Sequence, residues 1–363
     1  MKKTPLKRLI VVCNLSSQPR IHKRVDAINK VTISKVFGFR RRIYEENEFS
    51  GSVDYNSLGY IEDGSYLKRV SKLFRAWITL LKEAKNGDGL YAFGFDCFLI
   101  GKLAGIKYSI VELGDLRSAN RPNSFLARLE RFTLSRANKI VITSPYFYDN
   151  YFEKYGFKKD KFILLENKLP SNMNRVNLND ASLHGCEKIR IGLIGLFRYR
   201  REIEAVVSFV ESNHERYTLE CFGAGPCLDL VINSDCESIN YHGEFKSPDD
   251  LDNIYSQVDV NYICYDSSDE NVKIALPNKY YESIFYNTPV ICSEGTALQV
   301  EVEKHKVGIA IKLPEENGQA EILDGIDRQF VEKYSVNCNQ FNVEMLLDDS
   351  EATLKRVINN VYR

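Results

Sequence analysis

Short apolar runs of strand length alternate with longer amphipathic stretches along this chain of 363 residues. A strand that is followed by a helix and then another strand returns in parallel, because a parallel pair needs a long crossover. The opening follows that rule. Arg8 to Asn14 reads as a strand, Ile21 to Asn29 as a helix and Val31 to Phe37 as the next strand, the start of a doubly wound sheet. After a polar stretch to Gly64, the helix Tyr66–Lys85 is followed by strands at Gly89–Phe95, Tyr108–Leu113, Lys139–Thr143 and Phe162–Leu165, with helices Asp96–Ala104 and Phe125–Arg136 between them. The pattern lapses into Asn, Ser, Asp and Gly over Ser171–Glu187, where a linker is expected. It restarts at Ile189–Ile194 and continues through strands at Tyr217–Phe222, Ile239–His242, Val258–Cys264, Val290–Cys292 and Gly308–Ile311. A helix is expected from Glu202, and another over Pro248–Gln257 capped by Ser247. The expectation is α/β throughout: one Rossmann-like domain over 1–175, a second over 186–345, and a C-terminal helix at 350–363.

Composition narrows the function. Hydrophobic residues at 44% and charged ones at 27% are ordinary for a globular protein. The formal net charge is zero, which argues against a protein that binds by neutralising nucleic-acid phosphates. Nine cysteines form no CxxC pair and several sit in apolar runs, as expected in a reducing cytosol rather than a disulfide framework. The five histidines show no zinc-ligand spacing. The basic, briefly apolar N-terminus lacks a small-residue cleavage site and reads as a first strand, and no run is long enough to span a membrane. The loop after the first strand has no GxGxxG, so a dinucleotide fingerprint is missing where a dehydrogenase carries it.

The stretch Ala275–Ser293, ALPNKYYESIFYNTPVICS, concentrates the candidate chemistry. It reads as loop, helix, turn and strand, with Asn278 as N-cap and Tyr280, Ile284 and Phe285 on a buried face. Lys279 stands in the first turn, at the positive end of the helix dipole, where a cation is out of place without an anion nearby. Glu282 follows three residues later and can accept hydrogen bonds from sugar hydroxyls. The other reading is a surface Lys–Glu pair with a weak helical interaction. Two further elements follow strand ends in the same half: Arg198-Tyr199-Arg200-Arg201 and the turn Gly223-Ala224-Gly225-Pro226. If the sheet is parallel these converge on Lys279, and cations, a glycine turn and a helix N-terminus together make a diphosphate cradle. In the first half, Glu112-Leu113-Gly114-Asp115 ends a strand on the side where α/β sheets bind ligands.

With these residues in view, the second half, roughly Ile189–Leu313, resembles the nucleotide-sugar domain of GT-B glycosyltransferases, above all glycosyltransferase family 4. The pieces that carry the resemblance are IGLIGLFRYRRE, CFGAGP, NYHGEF…LDNIYSQVDVNYICY and LPNKYYESIFYNTPVICSEG. The last is similar to that family's P-x-K-x-x-E…G-x-P-V block. The first half resembles the acceptor domain more loosely, through SQPRIHKRV, VELGDL and ITSPYF. The resemblance implies a GT-B fold: two Rossmann-like domains facing a cleft, with the C-terminal helix crossing back to the first. It implies that Lys279 with Arg198, Arg200 or Arg201 holds the donor diphosphate, that Gly223, Gly225 and Ser293 line it, and that Glu282 binds the ribose. Asp115 matches a carboxylate of bacterial polysaccharide transferases and is the candidate catalytic residue. Ile274 stands where many members carry a second Glu, and Asn287 stands where they carry Gly.

The activity so implied is transfer of a sugar from a nucleotide diphosphate to a glycan or lipid-linked acceptor of the cell surface, with retention of configuration. No cofactor or metal is expected, since no DxD motif stands in a suitable place and cations with a helix dipole can stabilise the leaving diphosphate. The rivals are a nucleotide-sugar epimerase on the same fold and a non-catalytic nucleotide-sugar-binding scaffold. Arg40-Arg41-Arg42 and the basic amphipathic helix Tyr66–Lys85 have two readings. The helix covers a sheet with solvated lysines outside, or it touches an anionic membrane surface from the cytoplasmic side.

Overall fold

The computed structural model describes residues 8–40, 49, 53–61, 66–175, 188–313, 323 and 325–362. Arg41, Arg42, the side chain of Lys68, the N-terminal residues 1–7 and the stretch 176–187 lie outside the described residues. The chain divides into two compact units, Met1–Glu166 with Asp349–Arg363, and Asn167–Asp348.

The first unit is built on seven parallel strands: β1 (Leu9–Cys13), β2 (Ser34–Arg40), β3 (Tyr55–Tyr60), β4 (Gly89–Phe93), β5 (Ser109–Leu113), β6 (Lys139–Ile142) and β7 (Phe162–Leu164). Their order is β3-β2-β1-β4-β5-β6-β7, so the winding reverses between β1 and β4. Every residue of β1, β4 and β5 is buried, because helices cover both faces of a parallel sheet. The C-terminal helix Ser350–Tyr362 packs on helix Pro19–Val31 and adds Leu354, Val357, Ile358 and Val361 to this core.

Three expectations are corrected here. Val31 ends the helix rather than opening a strand, and β2 begins only at Ser34 after the extended Thr32. The polar stretch before Gly64 contains β3, an edge strand with no buried residue that the backbone ladder to β2 holds. Its residues YNSLGY show no alternation because neither face enters the core. The helix Tyr66–Glu83 does not turn its whole apolar stripe inward. It buries Ala76 and Leu80, while Val70, Phe74 and Leu81 remain 62%, 55% and 51% exposed.

The second unit has six parallel strands: β8 (Ile189–Leu196), β9 (Tyr217–Ala224), β10 (Ile239–Gly243), β11 (Val260–Ile263), β12 (Val290–Ser293) and β13 (Gly308–Ile311), in the order β10-β9-β8-β11-β12-β13. The winding reverses between β8 and β11. The helix expected from Glu202 starts earlier, at Arg200, which puts Arg200 and Arg201 in its first turn. Ser247 does not cap its helix; that helix runs only over Leu251–Ser256 behind Asp250. After β11 comes a short helix, Glu270–Ile274, whose N-cap Asp269 accepts from the Asn271 N–H. Helices Ala297–His305 and Arg328–Asn339 complete the unit. The eight described cysteines are unpaired and seven of them are buried.

Two arginines bind groups distant in sequence, Arg24 inside the first core and the half-buried Arg175 in the second unit. In the first unit Arg24 is fully buried and donates from Nε to Glu112 at 3.0 Å, and the Tyr91 hydroxyl donates to the same carboxylate. In the second, Arg175 reaches the ends of two helices. It donates to the carbonyls of Phe285 (2.8 Å), Ile284 (2.5 Å) and Cys338 (2.8 Å), the last two of which also accept from the N–H groups of Asn287 and Phe341 just beyond their helices. A cation at two helix C-termini also opposes both dipoles favourably. Arg175→Met should therefore destabilise the second domain by about 1.5–3 kcal/mol, the worth of hydrogen bonds from a charged group. Calorimetry would resolve the two domain transitions, and an unchanged second transition would show that water replaces the guanidinium at no cost.

Candidate active site

The reversal between β8 and β11 leaves a crevice at the carboxyl ends of these strands, the usual ligand position in an open α/β sheet. β8 ends at Gly195-Leu196 and leads through Phe197 to Arg198, Arg200 and Arg201. Beside it β9 ends at Gly223-Ala224, in register with Gly195-Leu196. The two chains touch: a Cβ on Gly223 would lie 2.0 Å from the Gly195 carbonyl oxygen, and one on Gly225 would lie 2.5 Å from the Phe197 oxygen. The glycine turn is thus welded to the arginine segment, with the Phe197 N–H donating to Ala224 O at 2.8 Å and the Cys227 N–H to Phe197 O at 3.0 Å.

Lys279 comes in from helix Asn278–Phe285. Pro277, not Asn278, is the N-cap, with an extended backbone and no side-chain capping bond. Lys279 therefore occupies the second helical position and its side chain crosses Gly195. A Cβ added there would sit 2.9 Å from Cε and 3.2 Å from Nζ. The ammonium lies 5.3 Å from the Tyr265 ring centroid and forms no ion pair among the described residues. Glu282 is not its surface partner. It is only 8% exposed and accepts from the Tyr255 hydroxyl at 3.3 Å, in a network where the Asn261 amide donates to the Tyr255 hydroxyl (3.2 Å) and to Ser283 Oγ (2.7 Å). Burial, reinforced by the Glu282 charge, pushes the Tyr255 phenol well up, so it stays a donor to that carboxylate. The reading as a weak surface pair is excluded by this geometry.

A cavity of about 580 Å³ opens between the arginine segment and the ends of β12 and β13, lined among others by Arg198, Arg201, Asp266, Ser268, Ser293 and Lys312. The three arginines differ. Arg200 is held by both oxygens of Asp229 at 2.9 and 3.0 Å, Arg201 rests on Glu202 at 3.1 Å, and Arg198 has no carboxylate partner among the described residues. Ser293 is buried and its hydroxyl is spent on Tyr265, donating to the carbonyl at 2.7 Å and accepting from the N–H at 2.9 Å. It fastens the strand ends to one another, and lines the cavity without a free donor. Tyr265 joins the parts, its ring 5.3 Å from that of Tyr199. Lys279 is not in the cavity wall but beside it, against Gly195 and Tyr265. Asn287 closes the helix in a left-handed conformation, φ +58°, which Asn adopts more readily than other side chains.

In the first unit, Asp115 is exposed two residues after β5. Glu112, the weaker candidate of that strand, is structural: it is fully buried against Arg24 and Tyr91. Gly195 and Tyr265 escaped the sequence reading. Gly195 had a signal, a glycine closing an apolar strand just before three arginines. Tyr265 had none, since its place follows only from β11 lying next to β8.

The glycine contact gives a sharp expectation. Gly223 and Gly243 both have positive φ, +131° and +90°, but a Cβ meets nothing at Gly243. Gly243→Ala should cost about 1–2 kcal/mol of backbone strain. Gly223→Ala should cost roughly 1–3 kcal/mol more by overpacking, measured as unfolding of the second domain. Equal losses would mean that the strand ends separate freely.

No protein-family profile matches the chain, and no curated protein matches it in sequence. Solved structures do match it in fold. Sucrose-phosphate synthase from Thermosynechococcus elongatus superposes with a TM-score of 0.73 at 16% identity, over 98% of this chain and 99% of that one. Anabaena HepE in complex with UDP-glucose gives 0.66 at 13%, over 97% and 98%. A putative UDP-N-acetylglucosamine 2-epimerase from Listeria monocytogenes gives 0.59 at 13%, over 98% and 96%. The chain has the GT-B fold of glycosyltransferases, with two parallel α/β domains as the sequence resemblance implied.

Proposed function

We propose that this protein transfers a sugar from a nucleotide-diphosphate donor to a glycan or lipid-linked acceptor, with retention of configuration. The observation that carries this reading is Lys279, a half-buried cation with no ion-pair partner among the described residues, laid across Gly195 at the reversal point of the second sheet. The fold neighbour HepE, solved with UDP-glucose, supports a nucleotide sugar as donor. Lys279 and Arg198 take the diphosphate, with Arg201 on its rim. As the glycosidic bond breaks, charge grows on the departing phosphate, and fixed cations with the helix N-terminus stabilise it without a metal. Glu282, oriented by Tyr255, accepts from the ribose hydroxyls. Asp115 serves the acceptor, either accepting the proton of its hydroxyl or orienting that hydroxyl while the departing phosphate takes the proton.

Incubation with UDP-, GDP- and ADP-sugars, with and without glycan acceptors, tests this reading. Free nucleoside diphosphate that rises with acceptor supports it. An altered nucleotide sugar formed with no acceptor favours the epimerase, a class represented among the fold neighbours. Lys279→Ala should lower kcat roughly 10²–10³-fold at saturating donor, as loss of a charge-stabilising donor does elsewhere. Glu282→Gln should weaken donor affinity roughly ten- to a hundredfold with a smaller effect on kcat. Asp115→Asn should lower turnover ~10²–10⁴-fold and leave donor affinity unchanged.

The acceptor is brought by a membrane surface. Val70, Phe74 and Leu81 form an unburied apolar ridge, and Arg69, Lys72 and Arg75 stand on other faces of the same helix. An exposed apolar ridge on a basic helix suits an anionic bilayer, where each cation near the surface contributes about 1 kcal/mol. Changing Arg69, Lys72 and Arg75 to Gln should reduce sedimentation with phosphatidylserine vesicles roughly a hundredfold. Equal partitioning of both proteins would rule out this docking.

A further inference from the structure

Arg20 has no role in the site so far described, and its surroundings are unusual. It stands in the first turn of helix Pro19–Val31, just after β1, at the positive end of the helix dipole with no acidic residue in that turn. β1 borders the reversal point of the first sheet. The side chain keeps 14% of its surface exposed. Its Nε is buried and has no hydrogen-bond partner among the described residues. The nearest carboxylate, Glu112 Oε1, is 3.7 Å away, too far for a hydrogen bond, and that oxygen is also unpartnered. The other oxygen of Glu112 already serves Arg24 and Tyr91. One buried carboxylate thus stands between two guanidinium groups, and one positive charge is left over.

The guanidinium is placed with care all the same. It lies flat on Gly114: a Cβ at that position would be 1.7 Å from Nη1 and 2.3 Å from Nη2. A side chain at that position would displace the guanidinium. Gly114 immediately precedes Asp115, so the planar fork lies one residue from the exposed carboxylate. Burying most of a guanidinium without hydrogen bonds is costly, and a glycine kept clear beneath it gives the fold nothing in return. Both features are explained if a ligand oxyanion completes the fork.

We propose that Arg20 binds an anionic phosphate group of the acceptor and so holds the acceptor hydroxyl against Asp115. This rests on the transferase reading above and narrows it: the acceptor carries a phosphate close to the hydroxyl that reacts. A guanidinium fork suits two phosphate oxygens at once, which a lysine cannot match. The phosphate could belong to a soluble sugar phosphate or to a polyprenyl phosphate lipid. The site requires only the oxyanion.

The test is a calorimetric titration of the full chain, saturated with UDP to fill the donor site, using inorganic phosphate, glucose 6-phosphate and farnesyl phosphate as probes. Wild type should bind at least one phosphorylated probe, and Arg20→Gln should weaken it tenfold or more. Arg20→Lys keeps the charge without the fork and should fall between them. Asp115→Asn should bind the probe as well as wild type or better, since it removes a neighbouring negative charge. Preference for glucose 6-phosphate or farnesyl phosphate distinguishes the two sources. Should Arg20→Gln not fold, as its melting curve will tell, Arg20→Lys and Gly114→Ala carry the comparison. Unchanged probe affinity in the folded Arg20 variants, or no binding of any probe by wild type, would overturn the proposal. If UDP itself does not bind, the donor reading fails, and the same titrations on Lys279→Ala, which lacks the diphosphate cation, still decide the role of Arg20.

Discussion

The parallel ladder governs what the rest of this structure does. Parallel strands are joined by crossovers, so both faces of each sheet are covered and the strand interiors carry little but apolar side chains. Polar chemistry is pushed to the strand ends, and in a parallel sheet all carboxyl ends lie on one side. The winding order then decides where a crevice forms: between β8 and β11 in the second unit, between β1 and β4 in the first. Gly195, Arg198, Lys279 and Tyr265 gather at the former; Arg20 and Asp115 stand near the latter.

Charge is handled in two distinct ways. Where a charged group belongs to the scaffold, its partners are protein groups at hydrogen-bond distance, as with Arg175 on three helix-end carbonyls and Arg190 on Asp259 at 2.8 Å. Two cations near strand ends are held less closely: among the described residues Lys279 has no ion pair and lies over a ring and a glycine, and Arg20 has an ion pair with Glu112 at 3.7 Å but no hydrogen bond from Nε. A partly buried cation short of hydrogen-bond partners destabilises a fold by its desolvation, and an anion at hydrogen-bond distance offsets that cost. Both cations also sit in the first turn of a helix, where the dipole is unfavourable to them and favourable to the same anion.

The glycines divide along the same line. Gly223 and Gly225 are required by the chain itself, because backbone atoms of Gly195 and Phe197 occupy the space of a side chain. Gly195 and Gly114 are overlain by the ends of charged side chains, Lys279 and Arg20, and Gly195 has in addition a positive φ of +97°. A glycine overlain by a charged side chain is a different signal from one in a tight turn, and a sequence does not separate the two.

Much of the architecture was legible in the residues. Strand-length apolar runs such as LIVVC and GLYAF are local, so the alternation of elements, and with it the fold class, could be read directly. Lys279 and Glu282 were legible as candidates because their spacing on one helix is local as well. The edge strand β3 was not, since its stability comes from pairing with β2 and leaves no hydrophobic pattern. Nor was the outward half of the stripe on Tyr66–Glu83, because periodicity shows that a helix has an apolar face without showing what covers it. The sequence by itself determined which segments are strands and helices and which side chains carry charge. Only the tertiary structure decided which charges are paired closely and which stand at strand ends with few partners. Pairing across 88 residues, as between Arg24 and Glu112, depends on strand order, and strand order is a property of the whole chain.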